Sequence, residues 1–399
     1  MNALRDAASE TAERLITAGV EIAREEGLVA LTARALASRT GMSPSALNYH
    51  LGGREALIGQ VAAQATGAAG AWRAARRADL EDEVGTPGWL SPAGAMAAVI
   101  GDRVSSFRTW ALLLAELAVD AEARGDTPLA DLVAQEAAAT TRFWNDAALR
   151  LGEDAEAAEI WADLADGLTQ LLLGDEPAAA KTPWIIDAAD RLHARLHGHP
   201  YAPLVERSFS AAERLRGRAP DSESARRLLD AALKIIADKG ADRLTQREVA
   251  ATAGLSLAAT TYFYRTKADL VSAAFHELHR QVSALALAAP NEATPRLRLV
   301  LEDEDERQSW RVRAMEALQL SSARDASLAP LAREQRATRG ATSIVWLRSI
   351  GIEADRLDAF VFSTAMSGVV HRTRFAPAAE RRAAAADAEE RLLRALFGR

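Results

Sequence analysis

One segment of this chain occurs twice. Residues near 12–64 align with residues near 225–277 at one constant offset and without a gap. Leu15 answers Leu228, Ile22 answers Ile235, Gly27 answers Gly240, Gly41 answers Gly254, Ser43 answers Ser256 and Tyr49 answers Tyr262. Alanine matches carry little weight in a chain this rich in alanine. Paired glycines, serines and tyrosines in register carry much more. Repetition on this scale constrains the architecture before any finer reading: two like units lie in tandem.

The clearest copy, Thr245–Leu270, reads as helix, tight turn, helix, and the start of a third helix. Arg247, Val249 and Ala250 fall on a short helix that stops at Gly254, where a positive φ costs little. Ser256 then stands where an N-cap belongs, its hydroxyl aimed at the open amides of the next helix. In the first copy the corresponding helix is expected over Ser43–His50, with Pro44 at its first helical position. A two-helix unit of this size can lay its second helix in the major groove of DNA.

Composition narrows the rest. At 399 residues the chain can hold two or more domains with real cores. Its abundant Ala, Leu, Arg and Glu favour helix throughout, and aromatics are only 5%. Cysteine is absent, which excludes disulfides and thiolate metal sites and fits a reducing cytoplasm. No apolar run reaches membrane-spanning length and no signal-peptide pattern opens the chain, so a cytoplasmic protein without a membrane partner is expected. The net charge of -7 argues against non-specific coating of nucleic acid.

Taken in order, helices are expected over Ala12–Glu26, Thr32–Arg39 and Ser43–His50, then from Arg54 through Trp72. After a Pro/Gly break at residues 85–92 come helices over Pro92–Ser105, Phe107–Ala123, about 128–151, Glu153–Leu173 and Pro183–Leu196. Residues 199–222 read as a linker; a stretch of about 25 extended residues reaches roughly 80 Å. The second copy repeats the plan, with a break at Pro290–Pro295 and helices over Leu297–Glu302, Trp310–Ser321, Leu328–Ile350, Ile352–Phe375 and Pro377–Phe397. No strand pattern competes. The fold class is all-α, a tandem duplication divided as head 1 (1–64), body 1 (65–198), linker (199–222), head 2 (223–280) and body 2 (281–399).

This arrangement resembles the TetR family of bacterial transcriptional regulators: a three-helix DNA-binding head, a connecting helix and a helical ligand-binding body. The first copy gives Gly41-Met42-Ser43, Leu47, Asn48-Tyr49-His50-Leu51, Arg54, Glu55 and Leu57. The second gives Gly254-Leu255-Ser256, Thr260, Thr261-Tyr262-Phe263-Tyr264, Lys267, Asp269 and Leu270. Both depart from the family pattern, with Asn48 and Thr261 for its first tyrosine and Leu51 and Tyr264 for its phenylalanine. The resemblance implies that Arg34 and Arg247 reach a base edge. It implies that Ser43, Pro44, Ser45 and Ala46, with Ser256, Leu257, Ala258 and Ala259, face the groove. Asn48, Tyr49, His50 and Arg54, with Thr261, Tyr262, Phe263 and Lys267, would grip phosphates. For Tyr49 and Tyr262 the other reading is packing against their own third helix.

Family members bind DNA as homodimers joined by a four-helix bundle of the last two body helices. A chain holding both halves is therefore expected to be a monomeric pseudo-dimer, with Glu153–Leu196 against Ile352–Phe397. Ile160, Leu164, Leu168 and Leu171 would meet Leu357, Phe360, Val361 and Thr364. Two unlike heads would read an asymmetric double-stranded operator, and a small apolar or aromatic effector would release it. Six of the eight tryptophans fall between residues 72 and 184; Trp110, Phe143, Trp144 and Trp161 are either ordinary core or cavity lining. In the second body Trp310, Met315, Trp346, Phe360, Met366 and His371 are the corresponding candidates. No catalytic constellation, cofactor or metal site is expected, and His193, His197 and His199 are taken as cations near a helix C-terminus. The competing function is a helical ligand-binding or scaffold protein whose heads have lost DNA.

Overall fold

The computed structural model describes residues 2–83, 91–201, 222–288 and 309–398. The first half runs α1 (Asn2–Glu26), α2 (Ala33–Thr40), α3 (Ala46–Leu51), α4 (Arg54–Glu83), α5 (Pro92–Arg103), α6 (Arg108–Arg124), α7 (Thr127–Arg150), α8 (Ala155–Leu171) and α9 (Ala178–His197). The second runs α10 (Glu223–Lys239), α11 (Gln246–Ala253), α12 (Leu257–Phe263), α13 (Lys267–Ala288), α14 (Trp310–Arg324), α15 (Ala329–Thr338), α16 (Ala341–Ser349), α17 (Arg356–Arg372) and α18 (Ala378–Phe397). Strands are absent among the described residues, and no described helix is long and apolar enough to cross a membrane. Most of the expected breaks and linker lie outside the described residues, as does the expected helix Leu297–Glu302.

Matched sequence gives matched backbone in the two heads. Thr32 and Thr245 cap α2 and α11, accepting from Ala35 N at 3.1 Å and Glu248 N at 3.2 Å. Gly41 and Gly254 end those helices at φ 72 and 65, the left-handed region in which a side chain is disfavoured. The heads then differ. Ser256 caps α12 through Ala259 N at 3.1 Å. Ser43 instead meets the Ser45 hydroxyl at 2.9 Å, Pro44 lies in a turn, and α3 begins only at Ala46. The expected start at Ser43 is thus corrected: in the first head the capping hydroxyl is engaged by a second serine that head 2 replaces with Ala258.

Three further boundaries move. α1 reaches back to Asn2. α9 begins at Ala178, five residues before Pro183, because Pro177 supplies the extended residue that opens a helix. The single helix expected over Leu328–Ile350 is broken at Gly340, whose φ is 79. A Cβ there would stand 2.5 Å from the Ala359 backbone, so α17 crosses where no side chain fits.

The two halves join through α8, α9, α17 and α18, as the seam expectation has it. The residues named for that seam are buried, except Leu171, which is half-buried. The closest approach is made by two glycines that sequence reading passed over. A Cβ on Gly167 would lie 1.9 Å from Thr364 O, and one on Gly368 would lie 1.9 Å from Asp163 O. Gly167 and Gly368 follow Asp163 and Thr364 by one turn in matching helices, so each half makes on the other the contact that it receives. That is the self-complementary pattern of a two-fold interface, here inside one chain. Arg191 and Arg391 add an ion pair across the seam from each half, to Asp355 at 2.9 Å and to Glu159 at 3.3 Å. Arg195 and Arg191 both reach Asp358, which is fully buried. One apolar core runs from the first head through both bodies, while the second head shares its own core with α14 and α15.

Candidate nucleic-acid interface and effector cavity

In the second head Leu257, Ala258, Thr261 and Tyr262 stand on the exposed face of α12, with Ala259 and Phe263 half-buried. Thr260 turns inward and is fully buried. Tyr262 is 81% exposed and Tyr49, its match on α3, is 85% exposed, so neither ring packs against its own head. Ser43, Pro44, Ser45 and Asn48 are exposed beside Tyr49, and His50 is half-buried with its ring edge-on to Tyr49. Arg34 and Arg247 lie exposed on α2 and α11, and neither guanidinium has a partner among the described residues. Each head thus leaves exposed an arginine on its second helix, and a tyrosine with small side chains on or just before its third.

Arg54 and Lys267 are used differently. Arg54 donates from Nε to Leu31 O and from Nη2 to Leu28 O, both at 2.9 Å, and burial lowers its guanidinium from the usual value. Lys267 Nζ donates to Asp242 O at 2.6 Å. Both cations therefore hold the short 3-10 turn between the first two helices of their head. Arg54, half-buried, is spent there, whereas the exposed Lys267 ammonium keeps two further donors.

Two helices in each half, a left-handed glycine turn and an open second helix define a helix-turn-helix DNA-binding protein. Among known families, bacterial regulatory proteins of the tetR family match twice, over residues 15–61 and 228–274. The chain carries two tandem TetR-like units with TetR-family DNA-binding heads, which make it a transcriptional regulator with DNA as a partner. No curated protein matches it.

Behind the second head lies a cavity of about 230 Å³. Phe275 and Val282 of α13, Met315 of α14 and Phe362 and Met366 of α17 give it an apolar wall. Gly167, Gln170 and Leu171 reach it from the first half. Arg339, pushed down to about 10 by burial, donates to Ser363 O at 3.0 Å and to the Ser367 hydroxyl. His371 is driven well below its usual value by burial, with Arg374 and Arg339 adding to the shift, so it is neutral.

Of the expected cavity residues, Met315, Met366 and His371 border this space. Trp310, Trp346 and Phe360 do not; Trp346 lies tilted against Phe362 with ring centres 5.6 Å apart. In the first body Trp72 packs on Phe107, Phe143 and Trp144 at 5.4, 5.3 and 5.9 Å, filling the equivalent region. Phe143, Trp144 and Trp161 are core, Trp110 lies under the Arg24 guanidinium, and a recess of about 70 Å³ lies between this body and residues 371–375. The break at Gly340 could have signalled the difference: α7 is continuous, and its counterpart is split into α15 and α16.

A chain of polar contacts runs from this cavity wall to the first head. Arg324, at the end of α14, donates to Glu116 of α6 at 2.7 Å and to Arg24 O, at the end of α1, at 2.7 Å. Glu116, pushed up by burial and held against that by Arg324, accepts from Leu28 N at 3.2 Å. α14 also packs directly on α10 and α13 of the second head.

Proposed function

We propose that this regulator is a ligand-released repressor in which one molecule occupies one operator, each head reading its own half-site. The observation that carries this reading is the reciprocal glycine crossing of α8 and α17, which supplies within one chain the interface that two subunits otherwise form. The readout surface comprises Arg34, Ser43, Pro44, Ser45, Ala46, Asn48, Tyr49 and His50 in the first head. In the second it comprises Arg247, Ser256, Leu257, Ala258, Ala259, Thr261, Tyr262, Phe263 and Lys267. Because α3 and α12 carry different side chains, the preferred operator has unlike half-sites about a helical turn or more apart.

The effector enters the second body, where it finds an apolar wall and the buried Arg339. A compact ligand with an apolar body and a hydrogen-bond acceptor suits that lining. Arg339 adds a hydrogen-bond acceptor to the small apolar or aromatic effector expected from the sequence. Seated against Met315, it shifts α14, which touches head 2 directly and head 1 through Arg324. One cavity then acts on both heads. Linkage requires that effector and DNA weaken each other by the same factor.

The test is a titration of labelled duplex from the regulator's own promoter, with the stoichiometry read by native mass spectrometry at two salt concentrations. One chain per operator, with affinity falling steeply as salt rises, is the expected result. Two chains per operator, or salt-independent binding, overturns the reading.

A further inference from the structure

The geometry points to a divalent transition-metal site of the zinc class at the C-terminal end of α9, held by His193, His197 and Glu153. His193 and His197 are one helical turn apart on the same face of α9, with ring centres separated by 4.4 Å. Glu153 follows the left-handed Gly152 in the turn between α7 and α8, and its backbone N–H is fixed on Ala148 O at 3.1 Å. Its side chain is 3% exposed. Oε1 lies 3.1 Å from His193 Nδ1, and Oε2 lies 3.0 Å from His197 Nε2. All three ligand atoms fall within 4.8 Å of one another.

These distances suit an ion. Zinc binds imidazole nitrogen and carboxylate oxygen at about 2.0–2.2 Å, which puts neighbouring ligand atoms of a tetrahedron roughly 3.4 Å apart. The two carboxylate–imidazole separations need to open by only a few tenths of an ångström, and both histidines sit on a helix that holds their spacing. The exposed His199 ring, 6.1 Å from His193 and 6.2 Å from His197, is the candidate for a fourth ligand. Nitrogen and carboxylate donors without thiolate favour Zn²⁺ over softer ions.

The other half holds a different set at the matching positions. Asp154 and Asp355 cap α8 and α17, and Pro177 and Pro377 open α9 and α18. In those registers Ala354, Leu393 and Phe397 stand where the first half has Glu153, His193 and His197. Ala354 is buried there, with Leu393 and Phe397 packed against the apolar core. A buried carboxylate in such a place costs free energy unless the charge is matched. At the same three places the first half carries a set of residues that ligates metals.

The bound ion would staple the end of α9 to the turn before α8, beside the Arg195–Asp358 pair that crosses between the halves. The test uses tag-free full-length chain stripped with chelator, titrated with Zn²⁺ by calorimetry and with Co²⁺ by visible absorption. One Zn²⁺ per chain, a four-coordinate Co²⁺ spectrum and a rise in Tm with Zn²⁺ are expected. Glu153→Gln, which keeps the size and a hydrogen-bonding carbonyl, and the double change His193→Gln/His197→Gln should each weaken binding by roughly 100-fold or more, beyond the range typical of outer-shell changes. His276→Gln, which removes a surface His–Glu pair in the second half, should leave it unchanged. Failure of the parent chain to bind Zn²⁺, or equal binding by the Glu153→Gln chain, overturns the proposal and makes the cluster a hydrogen-bonded helix staple only.

Discussion

Arg34 and Arg247 hold matching places in two heads that otherwise differ, and this makes them a test of division of labour. If each guanidinium contacts a base edge, Arg247→Ala should lower affinity by roughly ten- to hundred-fold, equivalent to about 1–3 kcal/mol. The loss should relax sequence preference in one half-site only, with Arg34→Ala relaxing the other. Binding measured on operators substituted one half at a time checks this, and equal loss at both halves would refute it. Arg54 needs a different experiment, because its guanidinium is committed to the carbonyls of Leu28 and Leu31. The family resemblance presented it as a cation for phosphate. Its occupation depends on how closely the short turn after α1 approaches the start of α4, which a linear pattern does not encode.

The helices that join the halves depend on two positions without side chains. Gly167→Val puts a branched side chain where Thr364 O already stands, so α8 and α17 must separate along their crossing. The expected cost is at or above the upper end of the roughly 1–3 kcal/mol typical of overpacking, read as a lower Tm, with Gly368→Val doing the same from the other side. A tolerated Gly167→Val chain would mean that this crossing does not bind the halves. The heads were legible in sequence because the serine cap of α12, left-handed glycines and apolar spacing act locally. The seam helices were also legible, from the expected order of elements and their apolar faces. The glycine crossing was not, since Gly167 and Gly368 read as weak points in a helix until the partner backbone is known. Nor was the split at Gly340, or the filled first body against the open second one. Those follow from how Trp72, Phe107, Phe143 and Trp144 pack together, and the same aromatic count could have lined a cavity.

At the scale of the whole molecule, the pseudo-two-fold arrangement is an exchange of symmetry for independence. A homodimer must present the same helix twice and therefore reads a palindrome. Here α3 begins two residues late, after Pro44 and Ser45, and carries Asn48 and His50, while α12 is serine-capped and carries Thr261 and Phe263. The cavity is lined mainly by the second half, with Gly167, Gln170 and Leu171 reaching it from the first, and α14 touches its wall and both heads, so on the proposed reading a single effector suffices for a response in both half-sites. The most direct measurement of this account is selection of bound sequences from random duplex DNA by the purified full chain. It predicts a site of two unlike half-sites at fixed spacing, each altered separately by changes in α3 or α12; a perfect palindrome, or a single half-site, would contradict it.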